Sequence, residues 1–399
     1  MMKELVVAEK EFKEYLTGKR FIALLAILFI LSIIGLIGGM SNYNSQLDSY
    51  KNAQAEHQTD VGYQLQMQDM QDQLASLKSS GASQDQIDQQ QSSIDMMSVQ
   101  YPMPSIVIIF GSLMTSFSLI GMALAVAVGF DLISKEKEDG SLKSLLSHPI
   151  FRDSVINGKA LAAAALLTVA IAVTFLVIIA IMLFEGVVPA GDDLARILAF
   201  FGLTLLYCMV FLGISIMVST LVKNSTMSIL CILGIFLIAY SLPTVSYEIS
   251  TIVTGPAPQW PISPSYINVP PNGTVTINGQ TITADEADQI NQQNQAQGQI
   301  QQQKAQNASN AYYKNTQDVT NVINLLTPVG NFNDLSSVIL NNQKPYDPSD
   351  ANSNFMITQK KIALWDSLGY KWGDIVALLV MAFATFAVSY VAFMRTDIR

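Results

Sequence analysis

Six runs of twenty or more residues carry almost no charge, at about 21–40, 104–130, 160–184, 194–221, 226–246 and 375–394. A helix crossing a ~30 Å hydrocarbon core needs about 20 apolar residues. Lipid offers no hydrogen bonds, so a spanning backbone must satisfy its own polar groups, which a helix does. The fold class follows: an all-α membrane protein with six transmembrane helices. Charged residues make up only 13% of the chain, against about 25% in soluble domains. Arg196 opens the fourth run, where its head is expected to snorkel to the interface. The first run exceeds the apolar core of a signal peptide and lacks a convincing cleavage site, so it reads as an uncleaved span.

Lys and Arg set the orientation. With the N-terminus inside, thirteen of the 22 basic residues fall on the inner side. They occupy about 60 residues of chain, whereas the other nine are spread over roughly 200. Both termini are therefore expected in the cytoplasm, with the protein multi-pass in the cell membrane. The same division leaves the outer segments at −12 and the inner ones at +3.

Two outer segments are large. Segment 41–103 is rich in Gln, Asp and Ser. Leu65, Met67, Met70, Leu74 and Leu77, then Ile87, Ile94 and Met97, recur at helical spacing, and Ser80-Gly81 breaks the run. This predicts a helical hairpin. Segment 247–371 is expected to form an extracellular domain, mainly helical. It opens with a Pro-rich stretch at 256–271. Two β-prone runs then flank Asn278-Gly279 and predict a small β-hairpin. The Gln/Asn-dense stretch 284–326 reads as a helix or as a solvated spacer. As a helix it offers Tyr312, Tyr313, Val319, Val322, Ile323, Leu325 and Leu326 as an apolar face. Asn272 and Asn307 head glycosylation sequons, which matter only in a source that glycosylates. The inner Asn224 fits the same pattern.

Chemistry-bearing motifs are missing. The sequence has no phosphate loop and no HExxH, CxxC or GxSxG pattern. Cys208 and Cys231 sit inside apolar runs, and His57 and His148 lie far apart. No catalytic residue, metal site or cofactor is therefore expected on this chain, and nucleic acid is not among its expected partners. Span centres are almost free of ionisable residues, unlike those of proton- or ion-coupled carriers. Glu185, Asp192 and Asp193 read as a solvated turn.

The inner segments carry the most information. Residues 1–20 predict an amphipathic interface helix with Leu5, Ala8, Phe12 and Tyr15 on one face and Glu4, Glu11, Lys13 and Glu14 elsewhere. Segment 131–159 continues the second span as a charged stretch to Gly140, which can stop a helix. Residues 141–147 then predict a short amphipathic helix with Leu142, Leu145 and Leu146 together, ended by Pro149. Such a helix held between spans suits a lever for a cytoplasmic partner. Along the second span Gly121, Ala125 and Gly129 recur every four residues, a small-residue stripe fit for close helix contact. Gly35 and Gly39 form a similar pair in the first span. The spacing leaves packing within one chain and contact between two chains equally open.

The 131–159 segment resembles the first cytoplasmic loop of type-2 exporter permeases of the ATP-binding cassette transporters. The matching elements are Glu136 to Glu138, Gly140 to Leu142, Leu145 to Pro149, Arg152 and Gly158-Lys159. The N-terminal stretch is similar to the interface helix of the same family. The resemblance implies a permease (residues 21–40, 104–246 and 372–399 as spans) that pairs with a second copy or a related permease. It implies separate ATPase subunits that bind ATP and Mg. It assigns ATPase coupling to Glu136, Glu138, Gly140, Leu142, Leu145, Leu146, Pro149 and Arg152, with Leu5, Phe12 and Tyr15 on the interface helix. The large outer segments depart from compact members of the family. A membrane-anchored scaffold whose outer domain binds a partner is the alternative, and it would not need a lever.

Overall fold

The computed structural model describes residues 2–98, 103–141, 151–189, 191–261, 266–269, 273–277, 280–341 and 362–395. Among them, six helices are long and apolar enough to cross a membrane. The chain divides into two compact units.

The first unit holds Met1–Thr244, Ile323–Tyr346 and Asn354–Arg399. It begins with α1 (Met2–Leu16) and α2 (Lys19–Thr59). The 41 residues of α2 extend about 60 Å at 1.5 Å per residue, twice the hydrocarbon core. The apolar half of α2 ends near Met40, yet the helix runs on because 41–59 holds no Gly or Pro to stop it. Asp60 makes the break: its carboxylate accepts from Gly62 N and Tyr63 N and caps α3 (Val61–Ser79). α4 (Gln84–Ser98) packs back on α3. Gly81, at φ 71°, makes the turn in a region that favours glycine. Leu74 and Ile94 are buried in this hairpin, and Gln90 Nε2 donates to Met70 O at 3.2 Å.

The second span is assembled from α5 (Ile108–Ser116), a π-helical turn (Phe117–Gly121) and α6 (Met122–Gly129). A short α7 (Ser134–Glu138) follows. Then come α8 (Arg152–Phe184) and α9 (Asp192–Leu221). α9 is the hub: α6, α8, α12 (Pro328–Leu340) and α14 (Trp372–Met394) all pack on it. Its buried hydroxyls bond back one turn, Thr204 to Phe200 O at 2.8 Å and Ser215 to Phe211 O at 2.7 Å. Tyr207 hydroxyl donates to Ser118 O, inside the π turn, at 2.8 Å. An aromatic cluster fills the adjacent core: Phe117 and Phe175 lie 5.0 Å apart, Phe175 and Phe200 5.8 Å, and Tyr207 and Phe332 4.4 Å.

The small-residue stripe packs inside this chain. A Cβ added to Gly129 would lie 2.6 Å from Ser215 Cβ, and one on Gly121 would lie 3.3 Å from Cys208 Sγ, both on α9. Ala125 between them is fully buried. Gly39 similarly admits the backbone of Ile109, 2.4 Å from an added Cβ. These contacts favour packing within the bundle over contact between chains for both glycine sets.

Within 247–371 the structure separates two parts. α12 and α13 (Leu364–Tyr370) belong to the first unit. Thr327 caps α12 by accepting from Gly330 N at 3.0 Å, and Pro328 takes the first helical position, where no N–H is needed. α12 is buried along most of its length.

Arg196 differs from its sequence expectation. It does not snorkel; it is fully buried. Its Nη1 donates to Ile339 O at 2.9 Å and Asn341 O at 3.2 Å. Its Nη2 donates to Ile362 O at 2.6 Å and Ser367 Oγ at 3.1 Å, and Nε bonds Asp192. The guanidinium fork meets the C-terminal carbonyls of α12, which no helical partner satisfies. Asp192 also accepts from Leu364 N at 3.2 Å, and Asp193 accepts from Ser105 hydroxyl at 3.0 Å. This acidic turn is therefore structural as well as solvated.

The second unit holds Val245–Val322 and Asp347–Ser353. α10 (Ser225–Thr254) enters it just past Pro243. The β-hairpin is present: β1 (Thr274–Ile277) pairs antiparallel with β2 (Gln280–Thr283), with Ile277 opposite Gln280. The Asn278-Gly279 connection lies outside the described residues, as does Asn272. α11 (Ala284–Leu325) begins with a capping box. Glu286 accepts from Thr283 N at 2.9 Å and Thr283 Oγ1 at 2.8 Å, which holds its carboxyl below the usual range. Asn291 and Ile267 exchange two bonds, at 2.9 and 2.8 Å.

The buried face of α11 is not the expected aromatic and aliphatic one. Of the expected face, Tyr312, Val319 and Ile323 are half-buried, while Tyr313, Val322, Leu325 and Leu326 are exposed. Ala287, Gly298, Ser309 and Thr316 are buried instead. Thr320 hydroxyl donates to Ser250 Oγ at 2.8 Å, and the Thr254 and Thr316 hydroxyls meet at 3.0 Å. Hydroxyl groups thus join α10 and α11, and their polar atoms satisfy one another. The periodicity reading weighted bulk and missed this.

Candidate functional site at the end bearing both termini

One end of the first unit gathers α1, the start of α2, the α6–α8 connection, the α9–α10 connection and the end of α14. Here the chain changes from apolar to charged, and several of the charges have specific partners.

α1 lies against α8. Ala8 and Glu11 are buried, Phe12 and Tyr15 are half-buried, and Leu5 is 58% exposed. The contact stripe is therefore 8, 11, 12 and 15, and it includes an acid that the sequence reading placed on another face. The reason is Lys159. This residue of α8 is 2% exposed, and its Nζ lies 2.8 Å from Glu11 Oε1 and 2.8 Å from Glu136 Oε1. One buried ammonium thus joins α1, α7 and α8. Glu136 Oε2 is buried and accepts no hydrogen bond among the described residues. Burial pushes the Tyr15 hydroxyl pKa well above its ordinary value, helped by Glu11, Asp131 and Glu136 nearby.

The connection after α6 is pinned at both sides. Arg20 Nη1 meets Asp131 Oδ2 at 3.2 Å while its guanidinium stands 5.6 Å from the Phe130 ring centre. Ser219 Oγ, near the end of α9, accepts from Ile133 N at 3.0 Å and Ser134 N at 2.9 Å. Lys137 Nζ donates to Thr220 O and Val222 O, the last carbonyls of α9. Glu138 Oε2 accepts from Ser225 N, the first residue of α10, at 3.0 Å. A cation at a helix C-terminus and an anion at a helix N-terminus both complement the helix dipole. Consecutive residues of α7 thus grip the end of one span and the beginning of the next.

Gly140, at φ 69°, follows α7 and ends it in a left-handed conformation, as expected. Arg152 Nη1 donates to Met394 O at 3.4 Å, joining the start of α8 to the end of α14. Leu142, Leu145, Leu146, Pro149 and nearly all of the helix expected at 141–147 lie outside the described residues. Of the expected coupling residues, Glu136 turns inward to Lys159, while Glu138 and Arg152 bond helix termini. Glu11, Arg20, Asp131 and Ser219 were not singled out for this site from sequence, and Lys137 and Lys159 entered only within the matched segment. Lys159 had a signal, the Gly158-Lys159 pair that the resemblance matched. Glu11 had one too, at helical spacing from Ala8 and Tyr15.

Among the described residues, no group of three or more His, Cys, Asp or Glu side chains could hold a metal ion. Among the described residues, the site contains charges joined to seven helices and no paired nucleophile and base. Its arrangement suits mechanical linkage. A search of curated proteins finds no match to the chain. A family profile described as ABC-2 family transporter protein matches residues 5–398, and the chain, with its six apolar spanning helices, belongs to that family of transporter membrane proteins.

Proposed function

We propose that the chain is the transmembrane permease subunit of an ATP-binding cassette exporter. Separate ATPase subunits bind and hydrolyse ATP with Mg, and a second permease copy or a related permease completes the pore. The end bearing both termini faces the cytoplasm in this reading. ATP-driven closure of the ATPases displaces α1 and the 131–159 segment, and the spans alternate between inward and outward exposure.

The observation that carries this reading is the grip of α7. Lys137 holds the end of α9, Glu138 holds the start of α10, and Glu136 shares Lys159 with α1. A displacement of this turn reaches α8, α9 and α10 through direct bonds and α1 through Lys159. A scaffold would have no use for such a linkage.

The test is co-purification of the ATPase with the permease, followed by turnover and cargo movement in lipid vesicles. Leu145→Asp places a charge on the expected contact face, adding a desolvation cost. It should detach the ATPase while leaving the permease folded. Wild-type assembly and turnover in this variant would remove 141–147 as the contact.

A further inference from the structure

The second span changes partners at its π-helical turn, Phe117–Gly121. Its first half, α5, lies against α2, where Gly39 admits the backbone of Ile109 and a Cβ added to Gly35 would stand 3.0 Å from Leu113 Cδ2. Its second half, α6, lies mainly against α9, where Gly129 admits Ser215. Such close approaches tie each half to its own neighbour. A π turn puts an extra residue into the α-helical ladder, and helices bend at such places. Here the ladder is also altered. Met122 N, which in an α-helix would reach Ser118 O, donates to Leu119 O. Ser118 O accepts from the Tyr207 hydroxyl of α9 at 2.8 Å. Tyr207 is fully buried, so water does not compete for this bond. The side facing α2 is bonded more loosely. Ser116 hydroxyl, just before the turn, reaches Leu31 O at 3.5 Å, the long limit of a hydrogen bond. Ser32, the next residue of α2, is 1% exposed, and its Oγ has no partner among the described residues. An unpaired buried hydroxyl raises the free energy of this arrangement and narrows its gap to a second one.

We propose that the π turn is a latched hinge. The Tyr207 hydroxyl on Ser118 O holds it, and release of that bond lets α5 turn with α2 while α6 and α7 stay with α9. When the extra residue shifts along a helix, the residues it passes rotate by about 100°, one residue's share of a turn. The second span therefore changes shape without unfolding. A push on α7 then moves α6 and α9 together against α2 and α5, a relative movement of spans of the kind alternating access needs. That use of the hinge rests on the permease reading; the hinge itself does not.

The test measures distances between nitroxide labels on the full chain in lipid nanodiscs without ATP, diluted with unlabelled chain. Exposed Cys231 is replaced by Ser, and Cys208 is buried and stays. One label pair, Ser112→Cys with Leu198→Cys, reads α5 against α9. The other, Asp139→Cys with Leu221→Cys, reads α7 against α9. All four positions are exposed. Tyr207→Phe removes the latch and keeps the ring against Phe332. It should raise the minor Ser112–Leu198 distance population about two- to tenfold, as loss of one neutral hydrogen bond does. The Asp139–Leu221 distance should not change. Thr204→Val removes an equally buried hydroxyl that bonds Phe200 O of its own helix, and it should leave both pairs as in the parent. Unchanged distances in Tyr207→Phe would overturn the hinge. Equal broadening of both pairs, or the same shift in Thr204→Val, would show general loosening and overturn it too. Cargo-stimulated ATPase turnover of the assembled complex is read separately. Its absence in the unsubstituted chain, with the distance shift intact, would count against the permease reading and leave the hinge standing.

Discussion

Lys159 and Arg196 are both buried cations, at opposite ends of the same unit, and they are satisfied in opposite ways. Arg196 is surrounded mainly by carbonyls, with one carboxylate from its own helix at Asp192. Its planar fork fits fixed acceptors, and those acceptors belong to α12 and the approach to α13. Lys159 is a point charge shared by two carboxylates from two other helices. An ammonium has no planar geometry to enforce, so its bonds tolerate rearrangement. The difference separates architecture from linkage. One end fixes a buried helix in place; the other joins elements through charges that can change partners.

The largest expected effect tests the architectural end. Arg196→Met removes donors from several buried carbonyls and leaves Asp192 without its partner. Asp192 is half exposed, so the cost lies with the buried carbonyls left without donors, about 1–3 kcal/mol each. Thermal unfolding in detergent or nanodiscs should show a large loss. Arg196→Lys keeps the charge but not the fork, and it should recover only part of the stability. Full stability in Arg196→Lys would show that charge alone matters and would erase the contrast with Lys159.

Lys159→Met is next. It leaves Glu11 and Glu136 facing each other with no cation between them, at a cost of about 2–4 kcal/mol. The triple variant Lys159→Met, Glu11→Gln, Glu136→Gln removes the unpaired charge and should regain most of that loss. If the triad is a linkage, the triple variant unfolds near the wild-type temperature, yet its ATPase turnover no longer responds to cargo. Normal coupling in a stable triple variant would reduce the triad to a packing feature.

What the sequence made legible divides along the same line. The spans could be read because the bilayer imposes length and apolarity on each one separately. The β-hairpin could be read because Asn278-Gly279 is a local turn signal. Gly140 ended its helix where expected for the same local reason. Arg196 was misjudged because its acceptors lie more than 140 positions away, and a charge at a span edge ordinarily has water within reach. Glu11 was misplaced because amphipathic readings sort acids outward, and its partner Lys159 is 148 positions away. The face of α11 was misjudged because its buried positions are small or hydroxylated residues, which hydropathy patterns treat as surface. Pairwise long-range chemistry leaves no periodic trace.

Glu138 gives the smallest expected effect on stability and the most specific one on coupling. It is neither buried nor ion-paired to Lys159; it accepts one bond from Ser225 N at the start of α10. Glu138→Ala removes that bond and an anion near a helix N-terminus. Losses of this kind cost roughly 0.5–2 kcal/mol, and exposure here places the value at about 1 kcal/mol or less. The unfolding temperature should barely move. The geometry predicts more for function, because Lys137 on one side and Glu138 on the other let α7 hold α9 and α10 together. Without Glu138, α7 still follows α1 and α8 through Glu136 and Lys159, but its direct bond to α10 is gone. ATPase turnover should then continue at its basal rate while stimulation by cargo falls several-fold. Glu138→Gln keeps an acceptor oxygen without the charge and should recover part of the stimulation. If Glu138→Ala couples like wild type, α10 takes its motion from elsewhere, and the contact through Ser228 hydroxyl to Phe130 O at 2.5 Å becomes the next one to break.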